Sequence, residues 1–317
     1  MRRMWKMYHH MPWPYRYGNN CRQDRYRRQK TQVKSKIKDI YLPLKAEIVE
    51  IIDMTSDIKL FKVKPTGQFS YKPGEFIMLS LWGKGEIPIS ITSTYGSHKY
   101  IELCIRRVGY ITSALHLLKP TAKIGIRGPF GNTFPIEKAK GKDILFFAGG
   151  LGIVPLRPLI HKVMNEKSKF KRIALICGSR NPHDILFKDD IDSWQKKGLQ
   201  LILGVRKGLQ LLTDTVERKD KSLQGKVGTV TEHPNIPRIS FKNACAFICG
   251  PPIMINETMK SLSMMGMHEE NIFTSLEAHM KCGVGKCGHC YADCKYICTD
   301  GPIFSYAEIK KHNLFSS

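Results

Sequence analysis

Ile144-Leu-Phe-Phe-Ala-Gly-Gly-Leu-Gly-Ile-Val-Pro-Leu156 is the most apolar run of this chain. Gly149, Gly150 and Gly152 interrupt it, so it reads as a strand, a tight turn and the start of a helix. Glycines at such a turn let a pyrophosphate approach the backbone, and the helix start offers N–H donors and the positive end of its dipole. Pro155 suits the first helical turn. The same glycines also serve packing alone, and on these residues the two readings stand level.

Outward from this turn, strands and helices alternate. Strands are expected at Asp143 to Ala148, Arg172 to Cys177, Leu199 to Val205, Ala244 to Cys249 and Ile272 to Ser275, with helices near Val154 to Asn165, Lys188 to Lys197 and Ile253 to Met265. This alternation implies a doubly wound, mainly parallel sheet, placed at residues 139–276. Two more turns follow its strands. Gly178-Ser-Arg180 sets Arg180 where a ribose or 2′-phosphate is met, although an exposed arginine also serves as a solvated charge. Cys249-Gly250-Pro251-Pro-Ile-Met254 lies at a strand's C-terminal end, where open α/β sheets bind ligands. Cys249 is a candidate for a place near a nicotinamide or, equally, a small core residue.

Before the sheet the pattern differs. Glu47 to Met54, Ile58 to Val63, Phe76 to Trp82, Pro88 to Thr94, Tyr100 to Arg107 and Lys123 to Arg127 are short β runs bounded by turns, with one helical piece at Ile111 to Leu118. Six close strands predict an antiparallel barrel over residues 39–138.

The chain has 317 residues, 42% hydrophobic and 25% charged, ordinary for a globular protein, and no apolar run is long enough for a transmembrane helix. The net charge of +24 is unevenly distributed. Residues 1–38 contain twelve Lys or Arg and one acid, while the remaining +13 is spread without a basic run, so nucleic acid is not the expected partner. That basic stretch has no apolar periodicity and reads as a disordered extension. An upstream start, a targeting peptide and a docking arm all fit it. No apolar segment follows the first charges as in a secretory signal, so a reducing cytoplasm is expected.

Five of the ten cysteines lie between Cys282 and Cys298. Cys282-Gly-Val-Gly-Lys-Cys287-Gly-His-Cys290 is a C-x4-C-x2-C run, the spacing with which a plant-type [2Fe–2S] site takes three thiolates from one loop and a fourth from farther along. Gly283, Gly285 and Gly288 let the backbone bend round a cluster and aim N–H groups at the sulfurs. Local spacing leaves both Cys294 and Cys298 as the fourth ligand. Structural zinc is the competing reading, although only Cys287 and Cys290 form a C-x2-C knuckle. His161, His183, His233, His279 and His289 read as surface or loop residues, with His289 in the cysteine loop a candidate for tuning.

Taken together, these motifs, in this order from about Leu42 to Phe304, resemble the ferredoxin–NADP reductase superfamily. The resemblance is strongest to its branch of electron-transfer subunits with a C-terminal [2Fe–2S] cluster. Sulfhydrogenase and NAD-linked hydrogenase gamma subunits, the anaerobic sulfite reductase B subunit and the dihydroorotate dehydrogenase electron-transfer subunit belong to that branch. The resemblance implies FAD on Pro88, Ile89 and Ser90, its pyrophosphate at Gly109, Thr112 and Ser113, and the barrel's closing loop at Gly128 to Phe134. It implies NAD(P)H on the 148–155 and 249–254 turns, and a cluster segment at 277–317 with Cys298 as the fourth ligand and Cys294 as the extra.

Many superfamily members carry Arg-x-Tyr-Ser on the flavin strand, whereas this chain has Ile87-Pro88-Ile89-Ser90; the hydrogenase and sulfite reductase subunits are similar here, so FAD is still implied. The implied function is NAD(P)H-dependent electron transfer through FAD and the cluster to a catalytic redox subunit of a larger complex. The short Cys290-x7-Cys298 spacing favours hydrogenase, sulfhydrogenase or sulfite reductase partners over dihydroorotate dehydrogenase. A zinc-containing binding module and a self-standing ferredoxin or flavodoxin reductase are the alternatives.

Overall fold

The computed structural model describes residues 40–94, 99–179, 182–205 and 240–314. The basic extension, Arg180 and His233 lie outside these residues. Strands β1 (Leu44–Asp53), β2 (Ile58–Pro65), β3 (Phe76–Leu81), β4 (Gly85–Ser90), β5 (Ile101–Arg106) and β6 (Lys123–Phe130), with helix α1 (Tyr110–His116), form the first half. The strands make one antiparallel sheet in the order β4-β3-β6-β1-β2-β5. A bridge between Ile91 and Leu103 returns the chain after β4 to β5, closing the sheet into the expected barrel.

The strand expected at Pro88 to Thr94 begins and ends earlier, as β4, for a physical reason. Beyond Ile91 the chain turns toward the second half, where the Thr92 hydroxyl donates to the Val154 carbonyl at 3.1 Å. That carbonyl lacks its helical partner because Pro158, four residues on, has no N–H.

The second half contains β7 (Asp143–Gly149), α2 (Ile153–Asn165), β8 (Ile173–Ser179), α3 (Lys188–Lys196), β9 (Gln200–Val205), β10 (Ala244–Cys249), α4 (Pro252–Met264) and β11 (Ile272–Ser275). The sheet order is β9-β8-β7-β10-β11, all parallel. Strand order therefore reverses between β7 and β10, the switch point at which such sheets open a crevice. Every residue of β7 is buried, as a central strand flanked on both faces requires. Phe146, Phe247 and Phe273 stack in series at 5.7 Å, and Phe134 from the end of the barrel meets Phe247 edge-on at 5.7 Å. Burial of each such ring contributes roughly 1.5–3 kcal/mol.

The cysteine-rich segment is built into this sheet. A two-residue turn, Asp293 and Cys294, both with positive φ, joins β12 (Tyr291–Ala292) to β13 (Lys295–Tyr296). After α5 (Ile297–Asp300), β14 (Ile303–Ser305) pairs antiparallel with β11 at the sheet edge, and α6 (Tyr306–Lys311) follows. The α6 start has a full capping box between Ser305 and Glu308.

Asp143 opens β7 with 3% of its side chain exposed, and Arg172 reaches both its oxygens, at 3.1 and 2.9 Å. Burial pushes the Asp143 carboxyl up, but the side-chain and backbone hydrogen bonds from Arg172 and its charge hold it below the ordinary carboxylate range. A depressed folded value stabilises above the unfolded value of about 3.9 and is lost as pH falls through the folded one. Denaturant midpoints measured from pH 6 down to pH 3 should therefore decline, and Asp143→Asn should be less stable at pH 6 with a shallower decline. An unchanged slope in that variant would contradict this assignment.

Candidate functional site

Three places expected from sequence lie around the two sheets. At the switch point the Gly149 and Gly250 backbones touch: a Cβ on Gly250 would stand 3.0 Å from both N and Cα of Gly149. A Cβ on Gly152 would run into the Cys249 carbonyl, so Gly152 is glycine for the close approach of α2 to β10. Gly150 differs from both. Its φ is +53° and nothing lies within 4 Å of the Cβ it lacks, so it faces open space in front of α2. Pro155 is third in α2, where its missing N–H costs no helical bond. Pro251 caps α4, with Pro252 as its first residue. Cys249 ends β10, and burial pushes its thiol up to about 12. It is therefore a neutral, packed group at neutral pH.

On the barrel, β3 is buried through five of its six residues, whereas Ile87, Pro88, Ile89 and Ser90 of β4 are all half-buried. β4 thus presents a partly open apolar wall with Ser90 at its end. Gly109 caps α1. The Thr112 hydroxyl accepts from the N–H groups of Val108 (3.0 Å) and Gly109 (2.8 Å) and donates to the Gly109 carbonyl. Thr112 therefore shapes this turn with its whole hydroxyl, while Ser113 closes the first helical bond to Gly109. Gly128, with φ +130°, begins the closing loop.

That loop also anchors the cysteine segment, a role the sequence did not disclose. The Asn132 amide donates to the carbonyls of Asp300 (3.1 Å) and Ile303 (2.8 Å), and its oxygen accepts from the Ile303 N–H at 2.9 Å. Gly131 lies against Gly301 and Pro302 with no room for a Cβ.

In the cysteine loop, Gly283, Gly285 and Gly288 all have positive φ, the left-handed bends that glycine adopts most readily. The N–H groups of Val284, Lys286 and Cys287 point at the Cys282 sulfur at 3.5, 3.3 and 3.4 Å, and that of Gly285 at the Cys298 sulfur at 3.1 Å. Cys282, Cys287, Cys290 and Cys298 are free thiols in two pairs, Cys282 bonding Cys287 and Cys290 bonding Cys298. Burial raises the Cys282 thiol, but those N–H groups and the Cys287 thiol outweigh it and bring it down to about 7. The shared Cys290–Cys298 hydrogen bond lowers Cys290 and raises Cys298. Cys294 stands apart on the β12–β13 turn and is not among the free thiols.

An all-sulfur donor set in two pairs, with N–H groups aimed at it, fits a two-iron cluster. Among the described residues, no three His, Cys, Asp or Glu side chains converge on a single metal position. His289 is exposed, 6.0 Å from the His279 ring. His161 departs from the surface-or-loop expectation: it sits in α2 between Asp190, at 3.4 Å, and the Trp194 ring.

Sequence-family matches follow the same order. An oxidoreductase FAD-binding domain matches residues 45–134, an oxidoreductase NAD-binding domain residues 146–260, and the iron–sulfur cluster binding domain of dihydroorotate dehydrogenase B residues 277–310. These define an oxidoreductase of the ferredoxin-reductase fold with FAD-, NAD- and iron–sulfur-binding domains.

Among relatives, the sulfhydrogenase 2 gamma subunit of Pyrococcus furiosus is 37% identical, covering 84% of this chain and 96% of the relative. The sulfhydrogenase 1 gamma subunit of the same organism is 34% identical over 84% and 91%. Its probable dihydroorotate dehydrogenase B electron transfer subunit is 31% identical over 82% and 90%. The chain belongs to this family of iron–sulfur electron-transfer flavoprotein subunits. Two solved structures share the fold. One is the NADH-dependent reduced ferredoxin–NADP oxidoreductase, with TM-score 0.61 and 23% identity over 86% of this chain and 93% of that one. The other is the ferredoxin reductase of carbazole 1,9a-dioxygenase, with TM-score 0.59 and 21% identity over 75% and 72%.

Among the described residues, no helix is long and apolar enough to cross a membrane.

Proposed function

We propose that this chain is the NAD(P)H-linked electron-transfer subunit of a larger redox complex, with a [2Fe–2S] cluster held by Cys282, Cys287, Cys290 and Cys298. The observation that carries the reading is the two thiol pairs, with backbone N–H groups directed at Cys282 and Cys298. Bound FAD supplies the step between a two-electron hydride donor and a one-electron cluster.

The chain's own residues then bind and orient. Pro88, Ile89 and Ser90 form an apolar wall for the flavin ring, Gly109 to Ser113 and Gly128 shape its edges, and Gly150 leaves space for the nucleotide pyrophosphate in front of α2. Gly250 and Pro251 fix the facing turn, with Cys249 near the nicotinamide as a packed, uncharged neighbour. Arg180, outside the described residues, is proposed for the ribose or 2′-phosphate. A domain division at 39–138, 139–276 and 277–317, with the 1–38 extension, goes with this reading, as does a cytoplasmic location.

The proposed partner is a catalytic subunit of the hydrogenase or sulfhydrogenase kind, in line with the gamma-subunit relatives at 37% and 34% identity. A dihydroorotate dehydrogenase partner is the second reading, favoured by the family match at residues 277–310.

Anaerobically purified protein should contain about one flavin and two irons per chain, with a [2Fe–2S] spectrum on reduction. Stoichiometric zinc in a colourless protein would refute the reading.

The glycines separate fold from binding. Gly152→Ala should destabilise by about 1–3 kcal/mol through overpacking against Cys249. Gly150→Ala should cost only about 1–2 kcal/mol of backbone strain yet weaken nucleotide binding. Equal nucleotide affinity in Gly150→Ala and the unaltered protein, measured by equilibrium titration, would place the pyrophosphate elsewhere.

A further inference from the structure

Arg127 lies in the wall of the barrel, on β6, only 7% exposed. A buried guanidinium needs partners for its donors. Nε and Nη2 donate to the two carboxylate oxygens of Glu86 on β4, at 2.9 and 2.6 Å, and Ser80 on β3 also donates to that carboxylate. Nη2 donates in addition to the main-chain carbonyl of Cys282 at 3.1 Å, and the guanidinium lies over the Phe130 ring at 5.6 Å.

The cysteine loop is pressed on this same part of the barrel. The Cβ that Gly283 lacks would stand 3.0 Å from both Met78 Cγ and Phe130 Cδ2. The guanidinium is thus held between a carboxylate on the strand bearing Pro88 to Ser90 and the backbone of the first cysteine of the cluster motif. The cation faces Cys282, and Glu86 meets the loop through it.

Reduction adds one negative charge to an iron–sulfur cluster, so a fixed cation beside a ligand favours the reduced form and an uncompensated anion disfavours it. We infer that the Glu86–Arg127 pair is a positioning and charge device that sets the reduction potential of the cluster: Arg127 raises it and Glu86 moderates that effect, linking the cluster loop to the flavin-bearing strand. This inference rests on the cluster assignment proposed above.

The test is an EPR-monitored redox titration, with iron and flavin analysis, of the full-length protein and its variants. Arg127→Gln should lower the cluster midpoint and Glu86→Gln should raise it. Each shift should correspond to a change of about threefold to tenfold in the one-electron equilibrium, tenfold being 59 mV. The double variant Glu86→Gln/Arg127→Gln should return close to the unaltered value. If Arg127→Gln loses iron, Arg127→Lys, which keeps the charge and gives up the fork, should remain close to the unaltered midpoint while Glu86→Gln still rises. Midpoints that move in the same direction for the two single variants, or do not move in iron-replete protein, would overturn the inference while leaving the cluster assignment standing. An unaltered protein without a [2Fe–2S] signal would overturn both.

Discussion

Cys298→Ser should abolish the [2Fe–2S] signal and the passage of electrons to an acceptor beyond the cluster, while flavin reduction by nucleotide continues at nearly its original rate. Cys298 is buried, bonds Cys290 and receives the Gly285 N–H, so its loss removes both a thiolate and the sulfur around which that part of the loop is ordered. Substitutions one shell outside a metal site typically cost 10–100-fold in affinity or activity, and a direct ligand more. Cys294→Ser, on the β12–β13 turn, should retain iron and onward transfer. Iron analysis, EPR and separate assays of flavin bleaching and acceptor reduction distinguish the two variants. Retention of the cluster in Cys298→Ser with its loss in Cys294→Ser would reassign the fourth ligand.

The second large effect is expected at Arg157. Its guanidinium pairs with Glu102 of β5, donates to Asp190 of α3 at 2.6 Å and to the Thr92 carbonyl at 3.0 Å, and lies over the Phe187 ring at 4.4 Å. One side chain therefore joins the barrel to two elements of the nucleotide-binding sheet, beside the Thr92 hydroxyl that satisfies the carbonyl freed by Pro158. Arg157→Met leaves two carboxylates without their cation. Breaking a buried pair costs about 3–5 kcal/mol, and the lower end applies because the Glu102 and Asp190 side chains retain 27% and 22% exposure. A fall in the denaturant midpoint of that order, partly restored by adding Glu102→Gln and Asp190→Asn, is the expected result. No change in midpoint would mean that the network adds nothing to the association of barrel and sheet.

Much of this was legible from residue patterns because the patterns are local. Short β runs bounded by turns located the six barrel strands, with β4 shifted toward the N-terminus, the Gly149-Gly150-Leu-Gly152 run set a strand–turn–helix, and the glycines interleaved with the cysteines marked where the backbone bends, at 283, 285 and 288. Contacts between residues far apart in sequence were not legible. Asn132 with Ile303, Arg127 with Cys282, and Arg157 with Glu102 and Asp190 join segments 33 to 171 positions apart, and no periodicity relates them.

One signal was present for Arg157: a charged residue between Leu156 and Pro158-Leu-Ile160, in the otherwise apolar first eight residues of the helix, requires a buried counter-charge. Strand β14 was missed because three residues after Gly301-Pro302 are too few to show alternation, and its pairing with β11 follows only from the fold. Thr112, named by resemblance for the flavin pyrophosphate, has its hydroxyl bonded to the backbone of its own turn, a local pairing that the motif did not disclose.

On the proposed function, nucleotide, flavin and cluster form one electron path in this chain. An anaerobic titration of the purified protein with NADH and, separately, NADPH tests it most directly, following flavin bleaching in the visible spectrum and the cluster by EPR. At least one nucleotide should bleach the flavin and produce the reduced-cluster signal, with the cluster signal absent in Cys298→Ser although bleaching persists. A flavin that neither nucleotide reduces, or a cluster that stays oxidised beside a fully reduced flavin when its measured potential allows reduction, would contradict it.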